Sequence, residues 1–381
     1  MFSKSLVYRA AHGWGSPLPT ALDSPRTLVL AFAASGYATD PAPFDQLAAA
    51  FPQALLIGCS TAGEIAGVEV HDDSVSVAVT RFEHTTLRQA STAVVDAGDS
   101  FHAGARLAAQ LADRELRAVF VLSDGLGVNG SALVEGLSRH LGAGVAISGG
   151  LAGDGSAFQR TWVLNGAKRE TQHISAIGFY GDRLQVGQGC DGGWLDFGPE
   201  RRITRAEGAV LYELDGKPAL DLYKTYLGER ASGLPGTALL FPLAVRRDGQ
   251  GPETLVRTIL AIDEARQSLT FAGDLPQGGV ARLMRANADQ LIDSAGRAAR
   301  QATAGAPNTA PGALVISVSC VGRRLVLGER TEEEAETVAD SAPPGSAQVG
   351  FYSYGEIAPL ATGRRSELHN QTMTVTVLSE V

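Results

Sequence analysis

The sequence predicts an α/β fold, with mixed sheets covered by helical layers and built from four related strand–helix–strand units. Three observations lead to this prediction. Apolar runs are typical of strands buried on both faces, amphipathic helical stretches lie between them, and the pattern repeats with a period of roughly 90 residues. At 381 residues the chain is long enough for two or three domains.

The first unit reads in order as a buried strand, an amphipathic helix, a second buried strand, a glycine-rich turn and an alternating strand. These elements are predicted at residues 27–33, 43–51, 54–57, 58–64 and 75–82. The same order recurs at residues 118–122, 131–141, 144–147, 148–154 and 174–180. A shift of roughly 90 positions places Glu64 on Asp154, each preceded by Ala-Gly.

A third copy lies in the C-terminal part of the chain. Its strand at 313–319 and polar helix from Thr331 lead to GFYSYGEIA at 350–358, which shares five of nine residues with GCSTAGEIA at 58–66. A strand at 373–378 closes it. A weaker fourth copy is predicted between the second and third, at 210–212, 219–227, 238–245, 256–262 and 269–272, followed by a long helix at 279–303.

Composition excludes several classes of function. The net charge of −9 argues against a nucleic-acid partner, because such binding needs clustered cations. No run reaches the roughly 18 apolar residues that a spanning helix needs, and the first residues lack a signal-peptide pattern. We therefore expect a cytoplasmic protein without membrane insertion. Three distant cysteines predict neither a disulfide framework nor a metal site.

Each unit places a glycine-rich turn and a carboxylate after a buried strand, where α/β proteins tend to bind ligands. Backbone N–H groups at such turns hold anions, and Glu64, Asp154 and Glu356 would hold an ammonium group. This combination suits a small zwitterion such as an amino acid. The alternative is that the carboxylates only cap turns. The remaining turn residues in the predicted site are Cys59, Ser60, Thr61, Gly149, Gly150, Tyr352 and Ser353.

Three further positions could take part in chemistry. Cys59 is a nucleophile if His369 lowers its pKa, or it is one of the buried cysteines common in protein cores. After Ser319, Arg323 or Arg324 could clamp a ligand carboxylate, or the arginine pair is exposed and solvated.

Six motifs in this order resemble the FIST family. They are IGCSTAGEI at 57–65, SGGLAGD at 148–154, ALDLYKTYL at 219–227, SCVGR at 319–323, GFYSYGEI at 350–357 and HNQTMT at 369–374. The resemblance implies two FIST-type domains, an N-terminal one at 27–218 and a C-terminal one at 219–378.

The resemblance also implies a sensory function in signal transduction, without catalysis. The chain would bind a small-molecule ligand and signal through a separate partner such as a histidine kinase, a diguanylate cyclase or a chemoreceptor. No cofactor is expected on this interpretation. Two alternatives stay open: a haem-based nitric oxide sensor, since some FIST-like proteins bind haem, and an enzyme that depends on Cys59.

Overall fold

The computed structural model describes residues 1–142, 144–247, 254–306, 312–359 and 365–381. The N-terminal elements are β1 Phe2–Arg9, β2 Gly13–Trp14, β3 Thr27–Ala34, α1 Ala42–Ala50, β4 Leu55–Thr61, β5 Glu64–Ala66, β6 Glu69–His71 and β7 Ser74–Arg81. The next elements are β8 Thr86–Ala93, α2 Ser100–Leu111, β9 Leu116–Ser123, α3 Gly130–Leu141, β10 Ala146–Leu151, β11 Val163–Asn165, β12 Lys168–Glu170 and β13 His173–Tyr180.

A middle segment follows. It contains β14 Leu184–Asp191, β15 Leu195–Asp196, β16 Arg201–Glu207, β17 Val210–Leu214, β18 Lys217–Pro218, α4 Ala219–Leu227, β19 Leu243–Arg246, β20 Leu255–Arg257, β21 Ile259–Asp263, β22 Ser268–Phe271 and β23 Val280–Arg285. The chain continues with α5 Ala288–Gly305, β24 Leu314–Cys320, α6 Val321–Leu327, α7 Thr331–Ser341, β25 Ala347–Ser353, β26 Gly355–Pro359, β27 Ser366–His369 and β28 Met373–Glu380.

Three units share one arrangement, in which the first strand pairs in parallel with the second and antiparallel with the last. The triples are β3, β4 and β7, then β9, β10 and β13, then β24, β25 and β28. The predicted α/β class with mixed sheets is confirmed. The predicted turns are shorter than expected, because β4 continues through Thr61 and β25 through Ser353.

A glycine in the middle of β4 and another in the middle of β25 allow each second strand to pack closely on the first strand of its unit. A Cβ atom at Gly58 would lie 1.9 Å from the carbonyl oxygen of Ala31, and one at Gly350 would lie 2.0 Å from that of Ser317. Any larger residue would push the second strand away from the first. These glycines therefore serve the sheet, whereas the sequence suggested a ligand turn.

The short hairpin of each unit pairs with a strand of a neighbouring sheet. The hairpin β5–β6 pairs with β25, β11–β12 pairs with β4, and β26–β27 pairs with β10. The exchange is cyclic, so the three sheets close around a common centre.

The centre is an apolar core to which the three first strands contribute alternate residues. Period-two spacing puts these side chains on one face of each strand. They are Leu28, Leu30 and Phe32 of β3, Ala118, Phe120 and Leu122 of β9, and Leu314, Ile316 and Val318 of β24. The outer faces are covered by α1, by α2 with α3, and by α5 with α7.

The predicted fourth unit is wrong, although most of its elements exist. The strands β16, β17, β19, β22 and β23 join only through antiparallel pairs in a separate sheet. No parallel pair flanks α4 among the residues that the structure describes. The helix predicted from residue 279 begins at Ala288, because residues 280–285 form β23.

The described part of the chain contains no helix with the length and hydropathy of a membrane span.

Candidate functional site

The three short connections between second strands and hairpins meet at the centre of the molecule. The backbone N–H of Ala62 donates to the Tyr352 carbonyl at 2.8 Å, and that of Gly153 donates to Ser60 at 2.9 Å. The N–H of Tyr354 donates to Leu151 at 3.1 Å. Each connection is thus bonded to another unit, as expected for related units around one centre.

Glu64 and Glu356 have matching surroundings. Glu64 accepts hydrogen bonds from the Thr61 hydroxyl and from both the backbone N–H and the hydroxyl of Ser74, at 3.1 and 2.8 Å. Glu356 accepts from the Ser353 hydroxyl at 2.7 Å and from the N–H and hydroxyl of Thr372 at 3.0 and 2.9 Å. Burial raises the pKa of both carboxyl groups to about 7.

Asp154 does not share this arrangement. It is held by the backbone N–H groups of the loop that follows, at 2.8 Å from Phe158 and 2.7 Å from both Gln159 and Arg160. The Tyr354 hydroxyl also donates to it. Asp154 therefore organises a loop, while the two glutamates tie strand ends together.

Ser319, Arg323 and Tyr352 come together around Glu334, a residue that sequence reasoning missed. The Ser319 and Tyr352 hydroxyls donate to Glu334 Oε2 at 3.0 and 2.9 Å, and Arg323 Nε donates to Oε1 at 2.8 Å. Arg323 and Glu334 are both fully buried. The helical spacing of the sequence could have predicted that Glu334 is buried. It shares one face of α7 with the other buried residues of this helix, Thr331, Ala335 and Val338.

Arg323 has no donor left for a ligand. Besides Glu334, its guanidinium bonds to the Gly192 carbonyl at 2.7 Å, the Ser294 hydroxyl at 3.1 Å and the Leu291 carbonyl at 2.9 Å. These contacts use its five N–H groups. Two roles were predicted for this arginine, a clamp on a ligand carboxylate and a solvated side chain. Neither fits, because Arg323 is fully buried and its donors are used inside the protein.

The remaining predicted site residues are also interior. Gly149 and Gly150 lie in β10, and added Cβ atoms would meet the Val121 carbonyl oxygen at 1.8 Å and Val318 at 2.8 Å. Cys59 lies in the central apolar core, where burial raises its thiol pKa well above the ordinary value. A protonated, inaccessible thiol is a poor nucleophile.

His369 is the histidine that the sequence placed nearest a turn, and it is buried in β27 opposite Glu356. Its Nε2–H donates to the Ala358 carbonyl at 2.8 Å, and burial lowers its pKa to about 4. This interior nitrogen does not fit an axial haem ligand, which must face a haem.

A cleft of about 360 Å³ lies between α3, β27 and the middle segment. None of the residues predicted from the turns lines it. Its charged lining consists of Arg139, Arg246, Arg247, Arg257, Arg365, Glu135, Asp274 and Glu367. No histidine, cysteine, tyrosine or methionine belongs to the lining, so this cleft does not fit haem either.

Arg257 forms the inner wall of the cleft and connects it to the three-unit core. The residue is only 4% exposed. Its guanidinium donates to the carbonyls of Leu368 at 3.0 Å, Asp274 at 3.1 Å and Val256 at 3.3 Å. Leu368 is followed in β27 by His369, which lies opposite Glu356 in β26. The hydrogen bond from Arg257 to Leu368 therefore connects the cleft to the strands that carry Glu356.

Among the described residues, no group of three or more histidine, cysteine, aspartate or glutamate side chains is placed to hold a metal ion. The polar clusters around Glu64, Glu356 and Glu334 are closed, whereas the cleft beside α3 is open to solvent.

Comparisons with known proteins place the chain. The FIST N domain model matches residues 27–217, and the FIST C domain model matches residues 219–359. No curated protein matches the chain in sequence.

Two solved structures show a distant likeness. A cyanuric acid hydrolase from A. caulinodans has 10% identity and a TM-score of 0.38 over 100% of this chain and 99% of its own. PurLQS from Thermotoga maritima has 9% identity and a TM-score of 0.22 over 78% and 72%. TM-scores this low support no statement about the chemistry of this chain.

FIST domains are sensory domains that bind small ligands in signal transduction. Both of their models match here in order and together span most of the chain, so the protein belongs to the FIST family.

Proposed function

We propose that this protein is a small-ligand sensor whose ligand binds in the cleft between α3, β27 and the middle segment. The observation that carries the proposal is the composition of the cleft walls. Three separate parts of the chain line one cavity: α3 between Ser131 and Arg139, the middle segment at 245–247, 255, 257 and 274–276, and residues 365–368. Its volume lies near the lower end of the roughly 300 to 1,000 Å³ of small-molecule sites.

Ligand binding in a cleft between two parts of the chain can change a surface that a partner protein recognises. A ligand that contacts all three stretches holds the middle segment against the three-unit core, and so favours one arrangement of the two. Arg257 would transmit this change to β27 through its bond to Leu368. The output would pass to a separate protein such as a histidine kinase, a diguanylate cyclase or a chemoreceptor.

An amino acid is one ligand that suits this cleft. Its carboxylate would bind an arginine, and its ammonium group would bind Glu367 or Asp274. This assignment replaces Glu64 and Glu356 as ammonium partners, because both of those carboxylates already accept three hydrogen bonds inside the protein.

A thermal-shift screen with amino acids, small carboxylates and nucleotides tests the proposal. A ligand at 100 times its dissociation constant stabilises the native state by about 2.7 kcal/mol. Ser138→Trp fills the cleft, while His140→Trp alters an exposed position of α3 outside its lining. We expect a ligand whose stabilisation is lost in Ser138→Trp and kept in His140→Trp. The absence of any stabilising compound, or equal stabilisation of both variants, contradicts a ligand site in this cleft.

A further inference from the structure

We propose that the cleft binds a small organic anion whose carboxylate or phosphate oxygens contact Arg257. This inference rests on the proposed function and assigns its ligand class. It starts from the position of Arg257, which is almost completely buried on the inner wall of the cleft.

A buried guanidinium normally has a carboxylate partner, because removing a charge from water is costly unless it is paired. Arg257 forms no ion pair within the described ranges, and its hydrogen bonds go to backbone carbonyls alone. Carbonyl dipoles orient the group without neutralising its charge. Burial lowers the pKa of Arg257 to about 10, which leaves it charged at neutral pH. The carboxylates of Glu367 and Asp274 lie near enough to raise the pKa of Arg257 against the effect of burial, but neither forms an ion pair with it within the described residues. An anion in the cleft would supply a directly bonded opposite charge.

The other charges of the lining also favour an anion. Arg139 pairs with Glu135 at the rim, and Arg246 pairs with Glu200. Within the described residues, Arg247 and Arg365 have no ion pair, and both are exposed. Together with Arg257 they face only two lining carboxylates that also lack an ion pair, Asp274 and Glu367. The lining therefore has a positive surplus, which narrows the amino-acid ligand suggested above to one with an additional acidic group, or replaces it by another small organic anion.

Two serine hydroxyls of the lining have hydrogen-bonding capacity that the protein does not use. Ser131 and Ser138 line the cleft from one face of α3, and both side-chain oxygens are buried without a hydrogen-bond partner. Buried hydroxyls without partners are rare in proteins. Their spacing along the helix is about 10 Å, so a rotation about χ1 would let each hydroxyl meet a polar group at one end of a ligand.

The body of the ligand would be apolar. Between the charged groups the cleft is lined by Val134, Val245, Leu255, Leu275, Pro276 and Leu368. A short aliphatic chain that carries acidic groups would match both parts of this surface.

Isothermal titration with three probes tests the inference: succinate, its neutral diamide, and inorganic phosphate. We expect succinate or phosphate to bind, and the diamide to bind at least tenfold more weakly than succinate. Which of the two anions binds more tightly distinguishes a carboxylate ligand from a phosphate ligand. Higher salt should weaken anion binding, because the rim arginines are exposed.

Variants locate the binding. Arg257→Lys keeps the charge but loses the planar fork, and we expect about a tenfold loss of affinity for the bound anion; Arg257→Met should lose about a hundredfold. Arg247→Gln and Arg365→Gln should each lose about two- to fivefold. Arg117→Gln, at an exposed position of β9 outside the cleft, is the matched control and should leave affinity unchanged. If Arg257→Met does not fold, the other substitutions still decide.

Two results overturn the inference. One is that neither anion binds, or that anion binding resists all four cleft substitutions. The other is that a neutral or cationic compound binds instead and is blocked by Ser138→Trp. That second result rejects the anionic ligand while leaving the cleft as the sensor site, whereas failure of the whole ligand screen rejects the proposed function itself.

Discussion

Glu64 and Glu356 hold the same position in two of the three units, and the two carboxylates are bound in the same way. In each case a hydroxyl three residues earlier donates to one oxygen. The other oxygen accepts two hydrogen bonds, from Ser74 at the start of β7 or from Thr372 just before β28. The repeat therefore extends from the order of secondary-structure elements to individual hydrogen bonds. These carboxylates close the units, and neither lines the open cleft.

These two groups should make stability fall as pH rises. Burial raises the pKa of each from 4.5 to about 7, so the native state holds more protons than the unfolded state between these values. The resulting stabilisation is complete below about pH 4.5 and is lost as pH rises through about 7. His369 acts in the opposite direction, because its lowered pKa of about 4 removes stability as pH falls below 6.5.

Glu356→Gln isolates one of these contributions. Between pH 5 and 8, the unfolding free energy of the variant relative to wild type should rise by on the order of 2 kcal/mol, as measured by urea denaturation. Glu336→Gln, at an exposed position of α7, should show no such change. A difference between Glu356→Gln and wild type that stays constant with pH would mean that Glu356 keeps an ordinary pKa.

Glu334→Gln should lower the unfolding free energy by about 3 to 5 kcal/mol, because it leaves the buried Arg323 charge uncompensated. Replacing both residues by apolar ones, as Arg323→Met with Glu334→Leu, should be less destabilising than the single substitution. The exposed Glu336→Gln control should stay within about 0.5 kcal/mol of wild type. Near-wild-type stability of Glu334→Gln in urea denaturation would contradict a structural ion pair.

The three cysteines should be unreactive in the native protein. Cys59, Cys190 and Cys320 are buried, and burial raises the pKa of all three thiols. We expect a chromogenic disulfide reagent to label them only as the protein unfolds, and Cys59→Ser to keep ligand affinity. Rapid labelling of native protein at neutral pH that is lost in Cys59→Ser would instead favour the Cys59-dependent enzyme.

Haem reconstitution should give no specific Soret band. The cleft lining offers no axial ligand, and the imidazole of His369 is directed at the Ala358 carbonyl. The measurement is a visible spectrum of purified protein after haem addition and removal of excess. A stable band that disappears in His369→Ala would instead favour the nitric oxide sensor.

The sequence predicted the three units well because their strands are long, apolar and buried on both faces. The predicted strand at 174–180 corresponds to β13, His173–Tyr180, and the predicted helix at 131–141 corresponds to α3, Gly130–Leu141. Pairing was harder to predict. The strands of the middle segment are short, and whether two strands run parallel depends on contacts far apart in sequence.

The candidate ligand cleft was harder to predict than the strand pairing. Arg257, Ser138 and Leu368 lie on three stretches that only the fold brings together, and none belongs to a glycine-rich motif. The sequence pointed instead to Glu64, Asp154 and Glu356 as ligand-binding residues, because a carboxylate recurs after the turn of each unit. Their repetition reflects a structural role, since a shared way of joining strands must recur wherever the unit recurs.

The exchange of hairpins has a consequence for the order in which this protein is made. The β5–β6 hairpin leaves the ribosome early, yet its partner β25, where Phe351 lies opposite Glu64, follows only after most of the chain. Until then the hairpin is an unpaired edge, which is prone to wrong pairing. Such long-range pairs also slow folding. A chain released before its last unit is made lacks β24, β25 and β28 and cannot form the sheet that contains the β5–β6 hairpin. The unpaired strands of such a chain stay exposed.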